Sequence, residues 1–378
     1  MSEYSSNKES LPSISQFDFE RISAIVNEKF QVEEYLLENG IPTFYLKQPQ
    51  ETKKTFLALL KSLERINYIA ILRKADKRIV LKAIPKQPIK KSNILVNWIL
   101  FFATIATTFF TGYLLSQGLV EKGALPNQWI GGAAFSVAIM VVLGMHEMGH
   151  KLTADREGID ATPPYFIPGP PPIFGFLGIG TFGAVIMQKS LPPNKDALFD
   201  IGANGPILGF ILAAIMSAIG LLLSPVLPIT DPNMGFLPSP LIFELFLAFM
   251  IRPPQNHYIL LHPIAFAGWV GMLVTMLNLL PAAMLDGGHV SRSLFGEKMR
   301  TVLTVLSFAM LILADFWPMA IFLLFISMYK HPGPLDDVSG LSRGRKLFAV
   351  GLIAVFVLCS FMHYYVLFLL EVLQRFMF

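Results

Sequence analysis

The sequence predicts a polytopic α-helical membrane protein of about six spans, headed by a small soluble α+β domain. Three observations predict it. Of the 378 residues, 53% are hydrophobic and 15% charged, too apolar for an ordinary soluble domain. The charges crowd at one end: residues 1–92 hold 16 of the 30 Lys and Arg and 11 of the 26 Asp and Glu. The remainder contains several apolar runs near the roughly 20 residues that a bilayer-crossing helix needs. The chain therefore divides into a head, 1–92, and a membrane body, 93–378. The net charge of +4 flanks apolar runs, which points to topology and lipid contact and away from nucleic acid. A single cysteine, Cys359, excludes an internal disulfide and a cysteine metal cluster.

Residues 1–16 read as a loose tail. Their start, "MSEYSSNKES", is hydrophilic and acidic, unlike a secretory signal or a transit peptide. "FERISAIVNEKF" and "ETKKTFLALLKSLERI" have helical spacing. "FQVEEYLL" and "PTFYLK", split by the turn "ENGI", read as strands, and so do "YIAILRK" and "RIVLKAI" around "KADK". The order α-β-β-α-β-β makes a sheet with two helices. It carries no motif that assigns it chemistry, so a packing or regulatory role is expected.

The basic linker "PKQPIKKSN" precedes the first span, 94–120, and sets the head on the cytoplasmic side of a cell membrane, with a plastid membrane as the alternative. A second span covers about 129–151 and leaves at the charged "ADREG". Residues 162–190 are apolar but too rich in Pro and Gly for a helix. Such backbone at membrane depth needs protein or a wet cavity around it, so the stretch reads as a re-entrant loop ending in the strand "GTFGAVIM". Further spans are expected at about 197–224 and 262–280, with a short surface helix at 240–251 between them. Residues 302–329 read as a bent pair of short helices broken at "ADFWP", which keeps Arg300 and the basic Lys330, Arg343, Arg345 and Lys346 on one side. The last span is about 347–370.

The chemistry sits in "VVLGMHEMGHKL". His146 and His150 are four apart and share a helix face, where two imidazoles can grip one metal ion. Glu147 beside them can take a proton from the attacking water, the H-E-x-x-H arrangement. Each ionisable group inside a span costs about 2.5–3.5 kcal/mol, so three together mark a functional site. Their distance from Asp155 and Arg156 puts them about 14 Å inside the charged end of the helix, and water must reach them through a polar cavity. A catalytic zinc needs a third protein ligand and an open position. Asp286 in "DGGHVSRS" is one candidate. With Glu147 it would neutralise the ion, which suits a low-dielectric site. His289 is a rival that spacing does not exclude. His257, His262, His331 and His363 read as loop or core residues.

"HEMGH", "GTFGA" and "NLLPAAMLDGG" together resemble the site-2 protease family of intramembrane zinc metalloproteases. Asn278, Pro281, Asp286 and Gly287 match the spacing of that family's second motif, N-x-x-P-x-x-x-x-D-G. The resemblance covers residues 93–300 well. It implies one Zn2+ per chain on His146, His150 and Asp286, Glu147 as general base, and Asn278 near the reacting carbonyl. It also implies that Gly178, Gly180, Thr181, Phe182 and Gly183 belong to a strand whose edge holds an unwound substrate. The implied substrate is a membrane-anchored protein in the lipid bilayer, cut in or near a transmembrane segment in regulated intramembrane proteolysis. The gap at 225–261 is too short for the PDZ domain that several members carry there, and no paired CBS domains follow the last span. The head is similar to those of archaeal and plastid members. The competing class is a metal-ion transporter or sensor, which would line several spans with acids and imidazoles. Prenyl-protein proteases also use H-E-x-x-H, but with a downstream glutamate ligand.

Overall fold

Ser15 begins the first helix: its hydroxyl accepts the Asp18 N–H at 3.1 Å and so caps α1 (Gln16–Lys29). The structure, a computed structural model, describes residues 15–88, 92–173, 178–230 and 237–360. The expected tail up to residue 14, His363 and the end of the last expected span lie outside the described residues. The chain forms two units, one of Met1–Lys90 with Leu191–Lys195 and Gly333–Gly340, the other of Lys91–Ser190, Asp196–Pro332 and Leu341–Phe378.

In the first unit α1 is followed by β1 (Val32–Glu38), β2 (Ile41–Leu46), α2 (Lys53–Glu64), β3 (Tyr68–Ala75) and β4 (Arg78–Pro85). Asn39 and Gly40 take positive φ, 50° and 78°, as a tight hairpin turn requires. The antiparallel sheet has the order β1-β2-β4-β3, so each helix–hairpin half gives one central strand. Its core joins Ile22 and Val26 of α1, Phe56, Leu59 and Leu63 of α2, and Phe44, Leu72 and Leu81 of the sheet. Two distant segments complete the β3 side. Leu72 N–H donates to Leu335 O at 2.9 Å, and Asp336 bridges both Leu72 and Asn194 in parallel. Leu335 itself enters the core.

The second unit begins with α3 (Ile94–Leu115), α4 (Gln117–Glu121) and α5 (Gln128–Arg156). Small residues let α3 and α5 touch: a Cβ on Gly112 would strike Phe135, and one on Gly132 would meet the Phe109 carbonyl at 2.9 Å. β5 (Tyr165–Pro168) and β6 (Thr181–Val185) then form an antiparallel hairpin. The Pro- and Gly-rich pattern predicts a re-entrant loop ending in one strand, and the structure adds β5 as its partner. β5, "YFIP", hides between prolines, which weaken any strand signal. Next come α6 (Lys195–Leu222), β7 (Val226–Pro228), α7 (Leu241–Phe246) extended by a π turn, and β8 (His257–Ile259), which pairs with β7. α8 (Pro263–Asn278), α9 (Asp286–Leu313), α10 (Trp317–Ser327) and α11 (Arg343–Cys359) complete the described chain. α9 bends at Gly296, whose φ is 83°. Between α9 and α10 the chain breaks at Ala314–Phe316, and Pro318 lies in the first turn of α10.

Among the described residues three helical stretches are long and apolar enough to cross a membrane: Ile94–Glu121, Gln128–Arg156 and Lys195–Leu222. Leu241–Ile251, Pro263–Asn278 and Trp317–Ser327 are shorter apolar helices. The 16 residues of α8 extend only about 24 Å, less than the hydrocarbon thickness of about 30 Å.

Candidate metal centre

α5 delivers His146 and His150 one turn apart, with ring centroids 5.0 Å apart and the rings inclined at 65°. Both, and Glu147 between them, are buried, at 3%, 5% and 7% exposure respectively. One ligand atom from each of the three lies within 4.8 Å of the others. His150 Nδ1 lies 2.8 Å from the carbonyl oxygen of Ile201 in α6. A carbonyl only accepts, so Nδ1 carries a proton, which in the neutral ring leaves the lone pair on Nε2. Gly205 and Gly209 bring α6 this close. A Cβ on Gly205 would collide with the His150 ring, and one on Gly209 would lie 2.7 Å from His146 Nδ1.

Asp286 opens α9, where the helix N-terminus favours a carboxylate. Its Oδ2 lies 3.2 Å from His146 Nε2 and 3.3 Å from His150 Nε2. With His150 in the tautomer fixed by Ile201, a lone pair faces a carboxylate oxygen. That contact is repulsive without a cation between the two atoms or a second proton on the ring. Donor atoms about 2.0–2.2 Å from a tetrahedral zinc lie about 3.4 Å from one another. Both distances from Asp286 to the imidazoles fit that spacing, and two imidazoles with a carboxylate are a zinc donor set.

The turn before Asp286 is held on both sides. Ala283 N–H donates to Thr304 Oγ1 at 2.9 Å, and Arg300 Nη1 donates to Ala283 O at 3.1 Å. Asn278, the last residue of α8, puts Nδ2 3.4 Å from His146 Nε2. His289 is turned to another partner, its Nδ1 2.9 Å from His331 Nε2. His257 Nδ1 donates to Gln255 O at 2.9 Å, and His262 caps α8 by accepting the Ile264 N–H at 3.3 Å.

The hairpin comes to the same place. The backbone N–H of Ile186, just past β6, lies close enough to interact with the Glu147 carboxylate. Of the five residues expected on the substrate strand, Gly178, Gly180 and Thr181 are buried. Thr181 Oγ1 donates to Ile167 O at 2.8 Å and accepts the Gly183 N–H at 3.0 Å, so it ties the hairpin together. Phe182 is 70% exposed. Sequence reasoning missed Ile201, Gly205 and Gly209. The signal was "GANGPILG", with glycines at 202, 205 and 209 on one helix face.

Residues 134–314 match the model of peptidase family M50. The chain is 32% identical over 217 residues to "Probable zinc metalloprotease EGY2, chloroplastic" of Arabidopsis thaliana, covering 55% of this chain and 37% of that protein. It is 26% identical over 282 residues to the protein of the same name in Oryza sativa subsp. indica, covering 70% and 49%. "Probable zinc metalloprotease EGY1, chloroplastic" of Arabidopsis thaliana is 30% identical over 235 residues, covering 57% and 40%. The matches thus span less than half the length of these relatives. No solved structure matches the chain.

Proposed function

With a peptidase family M50 domain at residues 134–314, we propose that this chain is an intramembrane zinc endopeptidase acting on membrane-anchored proteins. It hydrolyses a peptide bond in or near a transmembrane segment and releases a membrane-held factor towards the cytoplasm. One observation carries the reading: a carboxylate oxygen of α9 lies within 3.3 Å of both imidazole nitrogens of α5. The relatives named as zinc metalloproteases support zinc as the ion, and we take one per chain. His146, His150 and Asp286 would hold it. Zinc in such a site supplies Lewis acidity and brings the pKa of water to about 7.

The chain's own groups supply the rest. Glu147 accepts a proton from the attacking water and returns it to the leaving amine. Asn278 Nδ2 donates to the carbonyl oxygen as it gains charge. The outer edge of β6, with Phe182 and Gly183 accessible, pairs with an unwound peptide through backbone hydrogen bonds, while Gly178, Gly180 and Thr181 shape the hairpin behind it. A helical substrate shields its carbonyls, so this pairing exposes the bond to be cut. The basic linker supports a cytoplasmic head on a body of about six spans. The names of the relatives keep a plastid membrane, with a stromal head, as the alternative to the cell membrane. The M50 domain and the clustering of His146, Glu147 and His150 at one point favour hydrolysis over ion transport.

The test is Glu147→Gln, purified into nanodiscs and given a membrane-anchored reporter. Zinc content is expected to stay at the wild-type level while cleavage falls about 10²–10⁴-fold. Cleavage at the wild-type rate would refute the peptidase reading.

A further inference from the structure

α3 is long and apolar enough to cross a membrane, yet it buries Asn97, Thr104, Thr108 and Thr111 and carries Thr107. Most of these hydroxyls are spent within the helix pair. Thr104 donates to Leu100 O at 2.8 Å, Thr111 to Thr107 O at 2.9 Å, and Thr108 meets Ser136 Oγ at 2.9 Å. Two side chains reach off the helix to the β5–β6 hairpin. Asn97 Nδ2 donates to Pro164 O at 3.0 Å, at the base of the hairpin. Thr107 Oγ1 lies 2.6 Å from Gly180 O, at its tip. The same hydroxyl is 3.1 Å from Ala103 O and 3.2 Å from Thr104 O. A hydroxyl has one proton to give, and the shortest contact takes it.

Gly180 makes the approach possible. Its φ is +78°, and a Cβ there would lie 2.7 Å from Thr107 O and 2.9 Å from Thr108 Cα. The hairpin tip therefore rests on the backbone of α3. Gly180 O also accepts the Gly169 N–H at 3.0 Å, and Gly180 N–H donates to Pro170 O at 3.0 Å, so the Thr107 bond holds the residue that joins the two arms just beyond the strands. The two grips are ten residues apart, about 15 Å along the helix, which matches the length of a five-residue strand. The far end of the hairpin runs into Ile186, beside Glu147.

We propose that Thr107 is a positioning residue for substrate: by tethering Gly180 to α3 it fixes the register of the outer edge of β6 against Glu147. The inference rests on the peptidase reading. A peptide paired with β6 moves with the hairpin, so the tether determines which carbonyl stands at Glu147. Without it the tip slides on α3 and neighbouring bonds enter the site. Productive geometry is lost more than binding, because the backbone pairs themselves remain.

The experiment compares wild type, Thr107→Val and Thr107→Ser as full chains in nanodiscs. Rates are normalised to zinc-loaded protein, and products are read by mass spectrometry. Thr107→Val is expected to lower kcat about tenfold with KM nearly unchanged, and to spread cleavage over neighbouring bonds. Thr107→Ser keeps the hydroxyl and restores a single cut. A general loss of stability would reduce active protein without moving the cleaved bond. A second arm needs no substrate: hydrogen exchange of peptides covering 165–187 should quicken about fivefold in Thr107→Val and not in Thr107→Ser. An active wild type beside a Thr107→Val protein with unchanged cut sites overturns this inference alone, as does unchanged exchange. A zinc-loaded wild type that cleaves no reporter overturns the peptidase reading and the substrate role with it.

Discussion

The two histidines of the motif are supported in different ways. His150 has its Nδ1 proton committed to Ile201 O at 2.8 Å, so its ring orientation is fixed before any ion arrives. His146 Nδ1 is buried without a hydrogen-bond partner among the described residues and packs over Gly209. The α6 glycines are thus part of the site, although they offer no side chain to it. Gly205→Ala would drive a methyl group into the His150 ring and turn it away from Asp286. Zinc affinity in a chelator competition is expected to fall about 10–100-fold. Wild-type affinity in this variant would mean that α6 yields and does not hold the ring. The imidazole pair and Glu147 could be read from five letters of sequence, because helical spacing alone brings them together. Ile201 could not, because a backbone carbonyl leaves no mark on residue type.

At the scale of elements, Asp286, the proposed third ligand, depends on a short turn between two helices. Ala283 sits there at φ 44°, a left-handed conformation that costs an L-residue about 1–2 kcal/mol. The bend of α9 at Gly296 carries Arg300 and Thr304 back to grip its carbonyl and amide. Glu297 holds Arg300 through contacts of 2.7 and 3.1 Å and meets Arg292 at 3.0 Å. Thr304→Val would leave the Ala283 N–H buried without its acceptor, a loss of about 1–3 kcal/mol. A lower thermal midpoint and weaker zinc binding are expected together; a lower midpoint with unchanged zinc binding would separate the turn from the ligand. Ala283→Gly removes the left-handed cost but loosens the unfolded chain, so a net gain of about 0.5–1 kcal/mol is expected in the same melting assay. The "NLLPAAMLDGG" motif pointed to Asp286, yet the grip on Ala283 was illegible. It joins residues about 20 apart through a glycine bend, and no periodic pattern encodes that.

For the whole molecule, the sequence marks the head by its charge and its α-β-β-α-β-β order, both local signals. It does not mark Leu191–Lys195 and Gly333–Gly340, which belong to the same unit but lie far along the chain. "LPPNK" and "GPLDDVSG" carry no strand pattern, because they meet the sheet only through isolated bridges, Leu72 with Asp336 and Asp336 with Asn194. Leu335 is nevertheless buried in the head core. Leu335→Ala is expected to destabilise that unit by roughly 2–4 kcal/mol, seen as faster hydrogen exchange in α1, α2 and β3. Exchange at the wild-type rate would show that the distant segment adds nothing to the sheet. If segments far apart in sequence share one ion, metal analysis of wild type, Asp286→Ala and His289→Ala will register it. One zinc per chain in wild type and in His289→Ala, with none in Asp286→Ala, is the predicted result. Full zinc in Asp286→Ala with loss in His289→Ala would contradict it.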